Sequence, residues 1–497
     1  MGEHLILRID AENDILACAA YLAEDIKSRD GHAEAMAAII PLYLEKGNVD
    51  LAAELANSVD DPFMRDRLLI LVAQKCAELN DDEYSLQLAE SVEDYGLQSQ
   101  AREKIAIQKA EQGNFEKARE ISNDLDHPDS VYAAIAVKQM AGGDESGANE
   151  TLKSIAFPGA LVSAFVMMAI ARLEAEDHIK AAEFLEQGTE AAGNSEHDEE
   201  SIRTFCEIGN LFIEAKRNDR AIETFEKARG LAEELDNIHR DSFLAAVAVG
   251  FLHAGSVELA DRTVDSIIDK TQIATCLLSF ARDSWKREEK DDAFDALEES
   301  YAILKSQHER ETRDGKAKFR LFTSIAAQFA GFEKGERAIE IAQEIPDEAE
   351  QVSALSQIAE IMTLQKHDEL AQQAMRAIPE DAARVFALVN VSDAKEKNGN
   401  RVEAAAVLTE AVQLVETVPQ LASRSSACIE IATRAGKYEE AEIFDECVRI
   451  SFESIATIKD ESVQAVLLAE LGKLLDTLNI DIPHEEKETL RGLLKRT

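Results

Sequence analysis

Residues 208–228 read Ile-Gly-Asn-Leu-Phe-Ile-Glu-Ala-Lys-Arg-Asn-Asp-Arg-Ala-Ile-Glu-Thr-Phe-Glu-Lys-Ala, and their spacing decides the fold. A large apolar residue, Ile208, stands beside a small one, Gly209. Thirteen residues after Ile208 comes another small residue, Ala221, and four further on the aromatic Phe225. Two antiparallel helices in close contact need this arrangement, because small side chains let the backbones approach and the large ones fill the holes opposite. Between them, Lys216-Arg-Asn-Asp219 is short and polar, as a turn followed by a helix cap should be.

The unit recurs along the chain. With the small residue as anchor, copies stand at Ala52, Ser85, Ala118, Ala148, Ala181, Ala221, Ala260, Ala293, Ala338, Ala371, Ala404 and Ala441, at intervals of 33, 33, 30, 33, 40, 39, 33, 45, 33, 33 and 37 residues. An independent column supports the alignment. Thirteen residues before each anchor stands an apolar or sulfur-bearing residue, from Ile39 and Val72 to Val391 and Cys428, and the next position is Ala, Gly or Ser except at Ile40 and Ile429. Each copy therefore reads as helix A, a turn often carrying Gly or Asn, helix B, and a junction. Pro62, Pro128, Pro158, Pro346 and Pro379 punctuate the junctions, where proline opens a helix at no hydrogen-bonding cost, as in Asp61-Pro62. Pro41 lies inside a first helix, where a kink or break is expected. Asn13–Lys27 reads as helix B of an incomplete leading unit and 462–478 as a further helix A. The expected layout is an N-terminal half-repeat cap over 1–30, twelve hairpins over 31–458 and capping helices over 459–497.

The pattern resembles the tetratricopeptide repeat, W-x₂-L-G-x₂-Y, then A-x₃-F, then P, with a period of 34. Ile208, Gly209, Phe212, Ala221 and Phe225 match its L, G, Y, A and F. Other copies lack the leading Trp and often the Phe. The resemblance covers residues 12–480 and implies an all-α, right-handed superhelical solenoid of about twelve antiparallel hairpins. It also implies a groove lined by the A helices that binds a protein or peptide. Groove positions carried over from the family fall on Arg282, Trp285 and Lys286, on Asn210 and on His253, with Ile107, Val137 and Ile170 giving an apolar N-terminal groove. Trp285, the only tryptophan, reads either as a partner's anchor between two cations or as packing against the neighbouring A helix. Cys206 stands where the family's carboxylate clamp has Lys, so no such clamp is expected around Asn210.

Composition bounds the remaining choices. With 97 acidic against 53 basic residues the formal net charge is −44, which argues against nucleic acid and anionic membranes as partners. The longest uncharged run, 154–171, is broken by Pro158-Gly159, leaving too short a helix to span a bilayer. Six scattered cysteines with no C-x-x-C pair signal neither disulfides nor zinc. Phosphate-loop, nucleophile-elbow and H-E-x-x-H motifs are absent, and no cofactor or metal is expected. One segment runs against the acidic background. In the 45-residue interval, Lys305, Arg310, Arg313, Lys316, Lys318 and Arg320 face only Glu309, Glu311 and Asp314. This insertion reads either as a contact for an acidic partner or as a helix B lengthened by several turns. The expectation is a cytoplasmic, non-enzymatic scaffold or adaptor for a protein or peptide partner. The alternatives are a structural subunit of a larger assembly and, from another class, a small-ligand sensor or helical enzyme.

Overall fold

A computed structural model of the chain describes residues 4–193, 197–307, 315–482 and 484–495. Among them the regular structure is helical: α1 (Arg8–Ala11), α2 (Ile15–Glu24), α3 (Arg29–Glu45), α4 (Val49–Asn57), α5 (Pro62–Glu78), α6 (Asp82–Glu90), α7 (Tyr95–Glu111), α8 (Phe115–Ser122), α9 (Asp129–Ala141), α10 (Glu145–Leu152), α11 (Pro158–Glu174), α12 (His178–Ala192), α13 (Asp198–Glu214), α14 (Asn218–Glu234), α15 (Arg240–His253), α16 (Val257–Val264), α17 (Lys270–Lys286), α18 (Lys290–Ser306), α19 (Gly315–Gly331), α20 (Gly335–Gln343), α21 (Glu348–Leu364), α22 (Asp368–Ala377), α23 (Asp381–Lys397), α24 (Arg401–Val415), α25 (Leu421–Tyr438), α26 (Ala441–Thr457), α27 (Glu461–Leu478) and α28 (His484–Leu493). These helices form tetratricopeptide-like hairpins, with odd-numbered A helices from α3 to α25 each followed by a B helix. The chain divides into two compact units. Unit 1 comprises 1–101, 333–344 and 348–497, and unit 2 comprises 102–332 and 345–347.

Each hairpin is built by the same local devices. Helix A ends on a single left-handed residue five positions before the anchor. Gly47, Gly113, Gly143, Gly255 and Gly399 fill that place cheaply, but Glu176, Lys216, Glu288, Glu333 and Lys366 also adopt positive φ there. The following residue then bonds back to the helix, as Asp81 N does to the Cys76 carbonyl at 2.9 Å. Helix B opens on a capping side chain in many copies: Asp81 accepts from Tyr84 N, Asn114 from Lys117 N and Asp177 from Lys180 N. In α5, α13, α17 and α23 the large and small pair forms the eleventh and twelfth residues of helix A, and the anchor is the fourth of helix B. The close approach is hydrogen-bonded where the small residue carries a hydroxyl. Ser85 Oγ donates to the Ala73 carbonyl at 2.7 Å and Ser392 Oγ to the Ala404 carbonyl at 3.0 Å.

In unit 2 one aromatic ring fills the close approach between α13 and α15. The Phe225 ring, fully buried, lies against Gly209 of α13 and Gly250 of α15, so that a Cβ on either glycine would collide with it. Junctions are fastened by a carboxylate near the start of helix A that accepts two backbone N–H groups from the loop before the next A helix. Asp129 receives Ala156 N and Phe157 N, and Asp241 receives Ile268 N and Asp269 N. Asp66 does the same for Glu93 N and Asp94 N in unit 1. The long intervals lengthen helix B: α8, α10 and α16 have 8 residues, whereas α14 and α18 have 17.

Unit 1 departs from the sequence reading in three places. Helix α3 runs without a break through Pro41, held by the buried Ile39, Ile40, Leu42 and Tyr43 around it. In the last hairpin the pair is Ile431-Ala432, the left-handed residue is Glu439 and the anchor place is held by Phe444, three residues beyond Ala441. The chain ends also do not seal the array separately. Helix α27 carries Leu471-Gly472 as its eleventh and twelfth residues and ends on left-handed Asn479, as an A helix should. The helix that packs along it is α2, from the other end of the chain. A Cβ at residue 472 would stand 3.4 Å from Ile15 and from the Leu16 backbone, so Gly472 packs directly on α2. Helix α27 also lies between α25 and α3, taking its place in the row of A helices, while α28 packs on α26.

Candidate functional site

Residues that could meet a partner lie on the A helices at positions the hairpin does not need for packing. In unit 2, Ile107 and Val137 are half-buried. Met167 and Ile170, one helical turn apart on α11, are 47% and 38% exposed. Helix α11 packs directly on α9, which carries Val137. Sequence reasoning found Ile170 and Val137 but passed over Met167, which lies three residues before Ile170 on the same face. Asn210 on α13 and His253 at the end of α15 are both exposed.

The cation and aromatic group around Trp285 is arranged differently from an open anchor. The indole stacks on Phe332 with ring centres 4.3 Å apart and planes 9° from parallel, and it meets Phe294 edge-on at 5.7 Å. Lys290 Nζ stands 4.7 Å from the ring centre. The tryptophan is thus half-buried in an aromatic joint between hairpins. Arg282 remains exposed, but its Nε donates to Gln328 Oε1 at 2.6 Å, and Gln328 in turn donates to the Leu278 carbonyl. Lys286 is exposed.

The basic insertion is likewise partly used by the fold. Lys305 closes α18 and donates to the Tyr301 hydroxyl at 2.9 Å. Lys318 is buried, donates to the Gln307 carbonyl at 2.7 Å and lies over the Phe322 ring, so it is not available to an acidic partner. Lys316 and Arg320 are exposed on α19, and Arg310 and Arg313 lie outside the described residues.

In unit 1 the A helices carry charged residues that pair between hairpins, with Glu360 and Asp393 at the place Ile170 holds in α11. Lys397 reaches Glu360 at 3.5 Å, Arg434 reaches Asp393 at 3.2 Å and Lys437 reaches Glu396 at 3.7 Å. Arg434 also pairs with Glu430, and the Tyr438 hydroxyl donates to Asp393. Burial and the neighbouring carboxylate push the Tyr438 phenol up to about 12. A crevice of 620 Å³ opens between α22, α23 and α24, with Met375, Leu388 and Val391 at its base and Arg376 and Arg384 at its side. Lys395 bridges Asp368 at 2.6 Å and Glu403 at 2.8 Å across it. Burial alone would lower the Lys395 pKa, but the two carboxylates outweigh it and raise it. Glu403 is correspondingly lowered by the hydrogen bond from Lys395. No spacing in the sequence points to this crevice, whose partners lie 27 and 8 residues from Lys395. Among the described residues no three His, Cys, Asp or Glu side chains converge as metal ligands, and no helix is long and apolar enough to cross a membrane.

No protein-family model matches the chain, and no curated protein matches it. Several solved structures are similar to it. One is the Naa15/Naa10 complex bound to HypK-THB, at 13% identity over 98% of this chain and 90% of that one, with a TM-score of 0.28. A signal-transduction ATPase with a tetratricopeptide-repeat sensor from Pyrococcus horikoshii matches at 11% identity over 73% and 67%, again with a TM-score of 0.28. The tetratricopeptide-repeat domain of P58(IPK) matches at 17% identity over 77% and 98%, with a TM-score of 0.18. At these scores the tetratricopeptide-like description rests on the hairpins themselves.

Proposed function

We propose that this chain is a non-enzymatic scaffold that binds a protein or peptide through the A-helix face of α9 and α11. The observation that supports the reading is the exposure of Met167 and Ile170 beside half-buried Val137, at positions where hairpin packing requires no apolar side chain. Contiguous exposed apolar surface on a soluble chain is where partners dock. With a net charge of −44 around it, the fitting partner is a segment with apolar residues flanked by basic ones. Asn210 and His253, further along the row of A helices, would add polar contacts.

The test is quantitative affinity capture with crosslinking from the native host, comparing the unmodified chain with Met167→Glu/Ile170→Glu and with Lys316→Ala/Arg320→Ala on the basic insertion. The first variant should lose at least one specific partner by about tenfold or more, since apolar anchors at an interface are worth roughly 2 kcal/mol each. The second should retain it. Equal capture by all three forms would remove this face as the binding site.

A further inference from the structure

We propose that the joint between α2 and α27 is a clasp that opens without unfolding the rest of unit 1, and that its opened faces close on a second copy of the chain. The two helices are the B and A halves of one hairpin unit. Helix α27 has the large and small pair and the left-handed end residue, but α28, which follows it in sequence, packs on α26. Helix α2 supplies the missing half, seating Ile15 and Leu16 against Gly472.

Three observations make this joint the one that opens. Every other hairpin is tied by a turn of a few residues, whereas nothing covalent links α2 and α27 locally, so reclosure lacks the high effective concentration a short turn provides. The ion pairs that fasten it run through the end of α3: Lys46 to Asp476 at 2.6 Å and Lys473 to Glu45 at 3.4 Å join α3 to α27, and Lys46 to Asp14 at 3.8 Å joins α3 to the N-cap of α2, all between side chains 33% to 61% exposed, where such pairs contribute about 1 kcal/mol or less. An open pocket of 360 Å³ lies beside it, lined by Leu22 of α2, Leu493 of α28 and Gln464 of α27, so water reaches the flank of the joint. Ile15 and Leu16 of α2 and Leu467, Leu468, Leu471 and Leu475 of α27 are all buried in the closed form, so opening brings apolar surface into water. A second copy offers both of these faces. Two opened chains can therefore pair α27 of each with α2 of the other, the exchange of identical elements that generates swapped dimers.

The test uses the full chain in two single variants, Ile15→Cys and Gly472→Cys, since a Cβ at residue 472 stands 3.4 Å from that of Ile15, close to disulfide distance. The variants are mixed at about 100 µM in urea just below the main unfolding transition, returned to buffer and oxidised, with opening followed by hydrogen exchange in α2 and α27. A disulfide-linked dimer in the mixture, exceeding each variant alone and the unmodified chain by about tenfold, is the expected result. The double variant, oxidised as a monomer beforehand, should form none. Lys46→Glu/Lys473→Glu, which places like charges between the end of α3 and α27 without touching the core of the joint, should raise the yield of swapped dimer in the same assay. Rapid exchange in α2 and α27 without a mixed dimer would overturn pairing between copies. Exchange there only on global unfolding, or failure of the double variant to oxidise, would overturn the clasp.

Discussion

Gly209→Ala should destabilise this protein although alanine is the better helix former, and the size of the effect follows from the ring beside it. A methyl group on residue 209 would stand 2.6 Å from Phe225 Cε1 and 2.7 Å from Cζ, about 1 Å inside ordinary contact distance. The ring has little room to retreat, because it is fully buried and the same ring atoms also lie against Gly250. Overpacking of this kind costs about 1 to 3 kcal/mol, against a gain of about 1 kcal/mol from helix propensity, so the net loss should be about 1 to 2 kcal/mol. Gly230 on α14 is the internal control. It sits in a helix interior with no neighbouring atom within 4 Å of where a methyl would stand, and Gly230→Ala should stabilise by about 1 kcal/mol. Because repeat arrays need not unfold in a single step, the assay is hydrogen exchange across α13 to α15 under increasing urea, with circular dichroism for the whole chain. Phe225→Leu combined with Gly209→Ala should recover part of the loss, since the smaller side chain leaves space for the methyl. If Gly209→Ala stabilises as much as Gly230→Ala, the contact between Gly209 and Phe225 does not set the approach of these helices.

Other consequences are as direct. Glu288→Gly should stabilise unit 2 by about 1 kcal/mol, read as a higher urea midpoint, because Glu288 holds φ at 64° where a side chain is strained and glycine is not. Asp66→Ala should cost about 1 to 3 kcal/mol and speed hydrogen exchange at Glu93 and Asp94, whose N–H groups lose their buried acceptor. Glu403, Glu446 and Asp460 are each held below the usual carboxylate range, Glu403 by Lys395, Glu446 by Arg449 and Asp460 by the Ser462 hydroxyl. Groups depressed on folding contribute stability above their unfolded values near 4 and lose it as pH falls through their folded values. Thermal unfolding of unit 1 should therefore shift to lower temperature between about pH 5 and 3, and a flat profile across that range would count against these pairs.

Much of the hairpin geometry is legible in the sequence because it is periodic. The column from Ile39 to Val391 marks the helix crossings, and buried Phe225 shows why its neighbours are glycines. What escapes reading has particular causes. The left-handed places at Glu176, Glu288 and Glu333 look like ordinary helical glutamates, since their strain is imposed by the turn and not announced by residue type. The last hairpin slips by three residues because α25 is 18 residues long and the anchor place has gone to Phe444, so a search for a small residue settles on Ala441. Trp285 sits at a groove position, but whether its ring projects or stacks depends on Phe332, 47 residues away. Lys318 counts as a surface cation by composition and is buried because the Gln307 carbonyl accepts from it.

The joint between the chain ends shows how a half-formed pattern is completed. Forward from Leu471-Gly472, the next thirteen residues should reach a small anchor inside a B helix, and they reach His484 just after Pro483. Near the start of the sequence, 13–27 reads as a B helix, and among the described residues only the four-residue α1 stands before it. Each end by itself reads as a cap for its own exposed face, because a linear array has two such faces to cover. The deficits are complementary, however: one end has an A helix without its B, the other a B helix without its A, and a hairpin's buried face makes no distinction between partners joined by a turn and partners brought together by the rest of the fold. Leu468, Leu471 and Leu475 need an apolar B-type surface, and α2, with Ile15 and Leu16 against Gly472, presents one. It follows that the order of helices in space, not the order of the sequence, defines the repeat in unit 1. A chain with Leu478 joined to Asn13 by a short turn and new ends placed elsewhere should therefore keep the same packing around Gly472.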